Sequence, residues 1–341
     1  MQEFNFMCSD DSRKIIIGKL QRMISSSNIN FLFGSAFSLP YLQPLSNIEK
    51  RLSKAIQDGD KDKEYEVKKE FFEKSIAPVA DINFDEETFN DKRVLIKTIA
   101  DIVDLRATSI VHKIINIFTT NYDNLIETAL EKNHIDYFDG FEGRIKPEFS
   151  TSNYGKFICK QTELTGRTSE STSVNLFKLH GSIYWKQEDG RIVFDDYNGR
   201  FTDISLSTER DEFLENYDQL AIVNPEKNKF NSTVMNSNYY DQIRMFANEL
   251  ERQNTVLISF GFSFADEHMV QIINRSLSSN PTLTLIVFPY CQDDLLKFQE
   301  VFKFHNNVFC YFNKKDDVDE IEKFTLDNLN SLLMEIYNAV R

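Results

Sequence analysis

The feature that most constrains the fold of this chain is a set of apolar runs that each end in small or polar residues. One such run, Ile114 to Phe118, leads directly into the polar stretch Thr119 to Asp123. A helical pattern over Leu125 to Leu130 follows, and Asp123 or Asn124 can cap it. Strand, polar turn and helix in this order place side chains at the carboxyl edge of an α/β sheet, where ligands bind.

Three further apolar runs share this pattern. Residues 29–33 lead into Gly34-Ser35-Ala36-Phe37-Ser38, residues 174–179 lead into His180-Gly181-Ser182, and residues 255–260 lead into Gly261-Phe262-Ser263-Phe264. Buried, non-alternating strands separated by helical patterns are typical of a parallel, doubly wound sheet. The sequence therefore predicts an α/β, Rossmann-like, mainly parallel sheet whose four polar turns open on the same edge.

The predicted domain organisation is built around this sheet. At 341 residues the chain is long enough for one large domain with insertions or for two domains. We predict an N-terminal helix within 1–28, a Rossmann-like domain over 29–312 and a C-terminal helix within 313–341. Two insertions interrupt the domain, a helical one at about 40–112 and a polar loop or small cap at about 134–175. A β-hairpin with Asp189-Gly190 as its turn is expected after the third apolar run.

Charge and hydropathy exclude several classes of partner. The chain has 39 Lys and Arg against 53 Asp and Glu, a net charge of −14. A nucleic-acid surface needs a basic field, so direct nucleic-acid binding is not expected, and neither is binding to an acidic membrane surface. No apolar run approaches the roughly 20 residues that span a bilayer, and residues 1–10 show no secretory signal. We expect a soluble, cytoplasmic protein.

The four cysteines, Cys8, Cys159, Cys291 and Cys310, are too scattered to form a Cys-x-x-Cys zinc module. We therefore expect reduced thiols and no metal site.

Each polar turn, taken alone, also has a plain structural explanation. Gly34 and the small residues after it would let backbone N–H groups approach a phosphate, but the full Gly-x-Gly-x-x-Gly spacing is absent, and a tight structural turn explains them equally. A single histidine at a strand end, such as His180, is commonly a satisfied structural residue. The four turns together, at one predicted edge, favour a ligand site.

The order of these motifs resembles the sirtuins. Gly-Ser-Ala-Phe-Ser, Thr-Thr-Asn-Tyr-Asp, Leu-His-Gly-Ser and Gly-Phe-Ser-Phe occur here in the order in which sirtuins carry a glycine loop, Thr-Gln-Asn-Ile-Asp, His-Gly and Gly-Thr-Ser. The resemblance is closer to a bacterial sirtuin-like family with Thr-Thr-Asn-Tyr-Asp, Lys-Leu-His-Gly-Ser and Gly-Phe-Ser-Phe-x-Asp, whose members act in antiviral defence by destroying NAD. The motifs span residues 29–290.

The resemblance implies an NAD site with two catalytic residues. Asn121 would orient the nicotinamide ribose or the attacking water, and His180 would act as general base. Asp123 would hold the ribose or nicotinamide end. The residues implied in binding the rest of NAD are Gly34, Ser35, Ala36, Phe37, Ser38, Thr120, Gly261, Ser263 and Phe264.

Two departures from the sirtuin pattern bear on the reaction. The four-cysteine zinc module of protein-deacylating sirtuins is missing, and Leu39-Pro40-Tyr41 stands where their Asp-Phe-Arg follows the glycine loop. These departures disfavour deacylation. They favour water as the acceptor, which gives ADP-ribose and nicotinamide.

The resemblance also implies regulation. NAD depletion would be triggered during infection through homo-oligomerisation or through a partner, such as a HerA-type ATPase or another phage sensor. The alternatives are a catalytically quiet scaffold that binds NAD or ADP-ribose, and a protein deacylase or ADP-ribosyltransferase.

Overall fold

The computed structural model describes residues 1–5, 10–42, 48–108, 111–161, 166–195, 203–224, 237–314 and 320–341. Of the features predicted above, the following lie outside these ranges: Cys8 and its neighbours at 6–9, residues 43–47 and 109–110 of the predicted helical insertion, residues 162–165 of the predicted polar loop, and residues 315–319 of the predicted C-terminal segment.

The centre of the fold is an eight-stranded sheet in which every pair of neighbouring strands is parallel. Its strands are β1 (Gln2–Asn5), β2 (Asn28–Phe33), β3 (Ile114–Thr119), β4 (Asp136–Phe138), β9 (Ser173–Lys178), β13 (Thr255–Phe260), β14 (Leu283–Val287) and β15 (Val308–Phe312). Across the sheet the order is β1-β15-β14-β13-β2-β3-β9-β4. The predicted parallel sheet is confirmed.

Helices cover both faces of this sheet. The helices of the described residues are α1 (Asp10–Ser26), α2 (Ile48–Asp58), α3 (Lys61–Phe71), α4 (Glu87–Asp104), α5 (Leu125–Lys132), α6 (Arg210–Tyr217), α7 (Ser237–Glu251), α8 (Glu267–Ser279), α9 (Gln292–Val301) and α10 (Leu326–Val340). One face packs against α1, α4, α5 and α10, and the other packs against α7, α8 and α9. Since both faces are buried, neither needs polar residues, which is why the strands read as continuous apolar runs.

The N-terminal segment contains a strand that its sequence pattern did not predict. β1 precedes α1 and lies at the edge of the sheet, where Gln2–Asn5 pairs with β15. Four residues with only one large apolar side chain, Phe4, carry too short a pattern to identify a strand. Tertiary pairing, which sequence periodicity does not report, makes this segment extended.

The helices α2 and α3 form a second core away from the sheet. Leu52, Val67 and Phe71 pack with Phe213 of α6. A π-helical turn at Phe72–Ile76 and a 3-10 turn at Ala77–Asp81 then lead toward α4, which packs on the main sheet. Two helices of the 40–112 region therefore pack with α6 in this second core, and the third packs on the central sheet.

A small antiparallel sheet lies beside the main one. It consists of β5 (Phe141–Glu142), β6 (Glu148–Phe149), β10 (Gly181–Glu188), β11 (Arg191–Phe194) and β12 (Leu220–Ile222), in the order β12-β10-β11-β6-β5. A separate hairpin pairs β7 (Ile158–Gln161) with β8 (Thr168–Ser171). The predicted turn at Asp189-Gly190 is confirmed, since β10 pairs with β11 and both turn residues have positive φ (47° and 77°).

Three buried asparagines fix the register of the central strands. Asn30 of β2, Asn116 of β3 and Asn175 of β9 are direct neighbours across the sheet. Asn116 donates to the side-chain oxygen of Asn30, and Asn175 donates to that of Asn116, both at 2.9 Å. A slip of one residue in any of these strands would move its amide to the opposite face and break this ladder.

We expect Asn116→Leu to lower the free energy of unfolding by about 2–4 kcal/mol, because it leaves buried amide groups of Asn30 and Asn175 without partners. The triple change of Asn30, Asn116 and Asn175 to Leu should recover most of this loss, since no orphaned amide remains. Urea denaturation measures both values. A triple variant less stable than the single one would contradict this account.

Candidate active site

Four loops meet at the carboxyl edge of the central sheet. Phe33, the last residue of β2, is paired with Thr119 of β3 on one side and with Phe260 of β13 on the other. Thr119 is in turn paired with Lys178, the last residue of β9. These four strands therefore end at the same level, and the loops that follow them are brought together.

The loop after β2 packs tightly on the loop after β13. It is a 3-10 turn over Ser35–Ser38. The N–H of Gly34 donates to the carbonyl of Phe260 at 3.1 Å, and the N–H of Ala36 donates to that of Gly261 at 3.2 Å. A Cβ on Gly34 would lie only 2.4 Å from the Gly261 carbonyl oxygen. Glycine is thus required here by the close approach of two backbones.

Asn121 is held by the turn after β2. Its Nδ2 group donates to the carbonyl of Gly34 at 2.9 Å and to Oγ of Ser38 at 2.8 Å, and its side chain is buried. Thr119 accepts a hydrogen bond from the Asn121 N–H at 3.1 Å. Both Nδ2 hydrogens are committed to protein oxygens, so Oδ1 is the atom of this amide with hydrogen-bonding capacity left among the described residues.

Asp123 completes a hydrogen-bonded chain with Asn121. Its Oδ2 accepts from Oγ of Ser38 at 2.5 Å, and its Oδ1 accepts from the N–H of Leu125 at 3.1 Å, at the start of α5. The carboxylate is 2% exposed. Both of its oxygens therefore bind protein groups, and Ser38 links it to Asn121.

The loops after β9 and β13 meet at His180 and Asp266. Nε2 of His180 lies 3.4 Å from Oδ2 of Asp266. The other oxygen of this carboxylate, Oδ1, caps α8 by accepting from the N–H groups of His268 and Met269. The helix N-terminus thus holds the carboxylate in place while its second oxygen faces the imidazole.

The backbone after His180 needs a glycine. Gly181 has φ of +80°, and a Cβ there would lie 2.1 Å from the carbonyl oxygen of Ala221 in β12. The carbonyl of His180 also accepts from the N–H of Val223 at 2.8 Å. The small sheet and the residue after β12 therefore help to fix the backbone position of His180.

A buried ion pair lies next to the Asn121 loop. Lys178 donates to the carbonyl of Asp123, and its Nζ is 2.9 Å from Oε1 of Glu127. Burial raises the pKa of Glu127, and the charge of Lys178 opposes this rise. Lys178 therefore ties the end of β9 to the loop after β3.

The remaining predicted residues differ in accessibility. Ser35 and Ser263 are exposed, while Ala36, Thr120 and Gly261 are partly buried. Phe37 is fully buried and stacks on Phe33 at a centroid distance of 4.6 Å. Phe264 packs edge-on against Phe298 and Phe302. The rings of Phe37 and Phe264 thus belong to the hydrophobic core. Solvent reaches the side chains of Ser35 and Ser263.

Two contacting residues were not among the predicted site residues. Asp266 lies in the Gly-Phe-Ser-Phe-x-Asp pattern, and Lys178 precedes Leu-His-Gly, so both stand within motifs that the sequence displayed. The sequence signal existed for each, but no contact of either side chain with the site was predicted from it. Their contacts with His180 and Asp123 become visible only in three dimensions.

Comparison with known proteins identifies the family. The SIR2-like domain profile matches residues 115–304, which is more than half of the chain. The chain belongs to the SIR2-like family. Sir2-like proteins use NAD, so the family supports NAD-dependent chemistry here. The matched region contains Asn121, Asp123, His180 and Asp266, and the turn at Gly34 lies before it.

Two further comparisons add less. A solved structure from work on the mechanism and regulation of Sir2 enzymes aligns with 95% of this chain and 98% of its own, at 12% sequence identity and a TM-score of 0.42. A search of the curated proteins finds no match.

No group of three or more His, Cys, Asp and Glu residues in the described part of the chain could hold a metal ion. No helix within the described ranges is long and apolar enough to cross a membrane.

We expect Gly34→Ala to lower the free energy of unfolding by about 1–3 kcal/mol, because its methyl group would overlap the Gly261 backbone. Gly18→Ala is the matched control. Gly18 lies in α1 with open space around its Cβ position, so the same change should raise stability by about 0.5–1 kcal/mol. Thermal and urea unfolding give both values. Equal effects at the two positions would contradict the required close approach.

Proposed function

We propose that this protein hydrolyses NAD to ADP-ribose and nicotinamide. The observation that supports this most directly is the convergence at one sheet edge of the Asn121–Ser38–Asp123 chain and the His180–Asp266 pair. An amide with a spare oxygen and an imidazole beside a fixed carboxylate are the groups that activation of a water molecule requires. Membership of the SIR2-like family supplies the substrate class.

The residues around the edge fit a dinucleotide. Gly34 and Gly261 keep the backbones free of Cβ atoms where the loops after β2 and β13 touch, and the exposed hydroxyls of Ser35 and Ser263 follow these two strands. Hydroxyl groups are donors that can bind phosphate and ribose oxygens. We assign the pyrophosphate to these hydroxyls and the nicotinamide ribose to the Asn121 and His180 side of the edge.

The proposed reaction breaks the bond between C1′ of the ribose and the nicotinamide nitrogen. The bonding electrons pass to the ring, which was a pyridinium cation and leaves as neutral nicotinamide, so no general acid is needed. The oxygen of a water molecule bonds to C1′, and its proton goes to the imidazole of His180. Oδ1 of Asn121 accepts a hydrogen bond from this water or from a ribose hydroxyl.

The carboxylates have separate roles in this scheme. Asp266 orients the imidazole and stabilises the imidazolium that forms, as a carboxylate behind a catalytic histidine does. Asp123 has both oxygens bound to protein groups, so it holds Ser38 and Asn121 in position and adds negative charge near the developing ribosyl cation. The sequence-based role of Asp123, direct contact with the ribose or nicotinamide, is replaced in this proposal by positioning.

We further propose that the activity is the effector step of a prokaryotic antiviral defence system. The resemblance of the four motifs to the bacterial sirtuin-like family supports this role. Unregulated NAD destruction would kill the host cell, so the enzyme would act after a sensor partner or self-association has switched it on.

The first test measures nicotinamide and ADP-ribose released from NAD by the purified protein, alone and with the product of the neighbouring gene. Asn121→Ala and His180→Ala should each lower the rate by about 100-fold or more. His112→Ala is the control, since His112 is exposed at the opposite edge of the sheet and should leave the rate unchanged. Activity that survives both site changes would refute the proposal. Tight NAD binding without turnover would favour the scaffold alternative.

The second test separates the two functions of Asp266. Asp266→Asn keeps a good helix N-cap but removes the charge beside His180, so kcat should fall by about 10- to 100-fold with little change in thermal stability. Asp266→Ala should lose the same activity and, in addition, about 1 kcal/mol of stability. Steady-state kinetics and thermal unfolding distinguish the two. A fully active Asn variant would show that the carboxylate acts only as a cap.

A further inference from the structure

Lys92 of α4 is a fully buried lysine beneath the turn that follows β2. Its side chain is 1% exposed, and its Nζ donates to the carbonyl of Leu39 at 2.7 Å. The ammonium lies 5.1 Å from the ring centre of Tyr41 and 5.8 Å from that of Phe37. Every one of these contacts is therefore with the segment that contains Ser38.

Lys92 differs from the other buried lysines of the described residues. Lys68 forms ion pairs with Glu64 and Asp218, and Lys178 forms one with Glu127. Within the described part of the chain, Lys92 has no carboxylate within ion-pair distance. The acidic groups that act on it from further away are Asp123 and, on its own helix, Asp91.

A buried cation without an ion pair costs stability. Burial lowers the pKa of Lys92 to about 8, against the attraction of Asp123 and Asp91. An apolar side chain of similar volume would fill the same space without this cost. Packing alone thus gives no reason for a lysine at this position. A role in the neighbouring site around Ser38 and Asn121 would give one.

We propose that Lys92 is a positioning residue of the active site, which holds the Gly34–Leu39 turn so that Ser38 meets Asn121 and Asp123. This proposal rests on the proposed function for the identity of the reaction. Lys92 binds the Leu39 carbonyl and the Phe37 ring, and Ser38 is the residue between them. Its positive charge also compensates the buried carboxylate of Asp123.

Lys92 lies outside the part of the chain that the family profile matches. α4 lies in the 40–112 region, before the part of the chain that the SIR2-like profile matches. The matched region provides Asn121, Asp123 and His180, but the turn that holds Asn121 and the lysine that holds the turn come from outside it. The helical insertion therefore completes the site. A shift of α4 would move Lys92 and, with it, the turn that contains Ser38.

The decisive variant is Lys92→Met, which keeps the volume and removes both the donor and the charge. Its melting temperature should be unchanged or higher, while kcat for nicotinamide release falls by about 10- to 100-fold. If Lys92 served only the stability of the fold, Lys92→Met would lower the melting temperature. The matched control is Lys97→Met, because Lys97 lies on the same helix, is exposed and pairs with Asp101; it should behave as the unchanged protein.

Hydrogen exchange tests the turn without any assay of activity. In Lys92→Met the amides of Ala36 and Phe37 should exchange about tenfold faster, while the amides within β2 keep their protection. Lys92→Gln retains a hydrogen-bond donor but no charge, so its turn amides should exchange at a rate between those of the original protein and of Lys92→Met. It also provides a second variant if the Lys92→Met protein does not fold.

The pH profile gives a third readout. As pH rises through about 8, Lys92 loses its proton and kcat of the unchanged protein should fall, whereas Lys92→Met should lack this alkaline limb. The pKa of this amine is lower in the folded chain than its ordinary value of 10.5. The free energy of unfolding therefore rises as the pH increases from about 8 to 10.5, so unfolding does not explain the loss of kcat.

The outcomes separate this proposal from the proposed function. Unchanged exchange of the turn amides in both variants, or unchanged kcat in an active enzyme, would overturn the role of Lys92 alone. Suppose that the protein without substitutions never releases nicotinamide, while Lys92→Met still speeds the exchange of the turn amides. This result would refute NAD hydrolysis and support the positioning of the turn by Lys92.

Discussion

The structure depends on the register of β2, β3 and β9, which the ladder of Asn30, Asn116 and Asn175 fixes. The ladder has a cost, since Nδ2 of Asn30 and Oδ1 of Asn175 have no partner among the described residues. Its consequence is geometric: the three strands end level, at Phe33, Thr119 and Lys178. Apolar side chains would tolerate small slips in a sheet buried on both faces, whereas paired amides do not. The loops that carry the site therefore start from fixed positions.

Above these strand ends, the site is held by charges that the fold buries. Asp123 binds Ser38 and the start of α5, Asp266 binds His180 and the start of α8, and Lys178 joins two of the loops. The helix N-termini stabilise both carboxylates, so each keeps a defined position; Asp123 is buried and Asp266 is partly buried. In the proposed reaction, rigid side chains of this kind would lower the cost of orienting NAD, because little ordering would remain to be done when it binds.

Much of the site was predictable because strands of one parallel sheet end at a common edge. Apolar runs that end in Asn121, His180 and Gly261 were enough to place these residues together. The pattern could not show that Phe37 and Phe264 turn into the core, because an aromatic residue next to a glycine turn looks the same whether its ring faces ligand or packing. Asp266 was visible as the last residue of the Gly-Phe-Ser-Phe-x-Asp pattern, but its contact with His180 joins two loops that are distant in sequence.

By itself the sequence determined the fold class, the order of the motifs and the candidate catalytic pair, since apolar periodicity and local turn chemistry are properties of short segments. The tertiary structure decided everything that joins distant segments. β1 is a strand only because β15 lies beside it, and Lys92 matters only because α4 packs under the turn after β2. It also decided the contacts of Asp123, whose two oxygens accept hydrogen bonds from Ser38 and Leu125. Contacts of this kind have no local pattern, because their energies come from burial and from partners that only folding brings together.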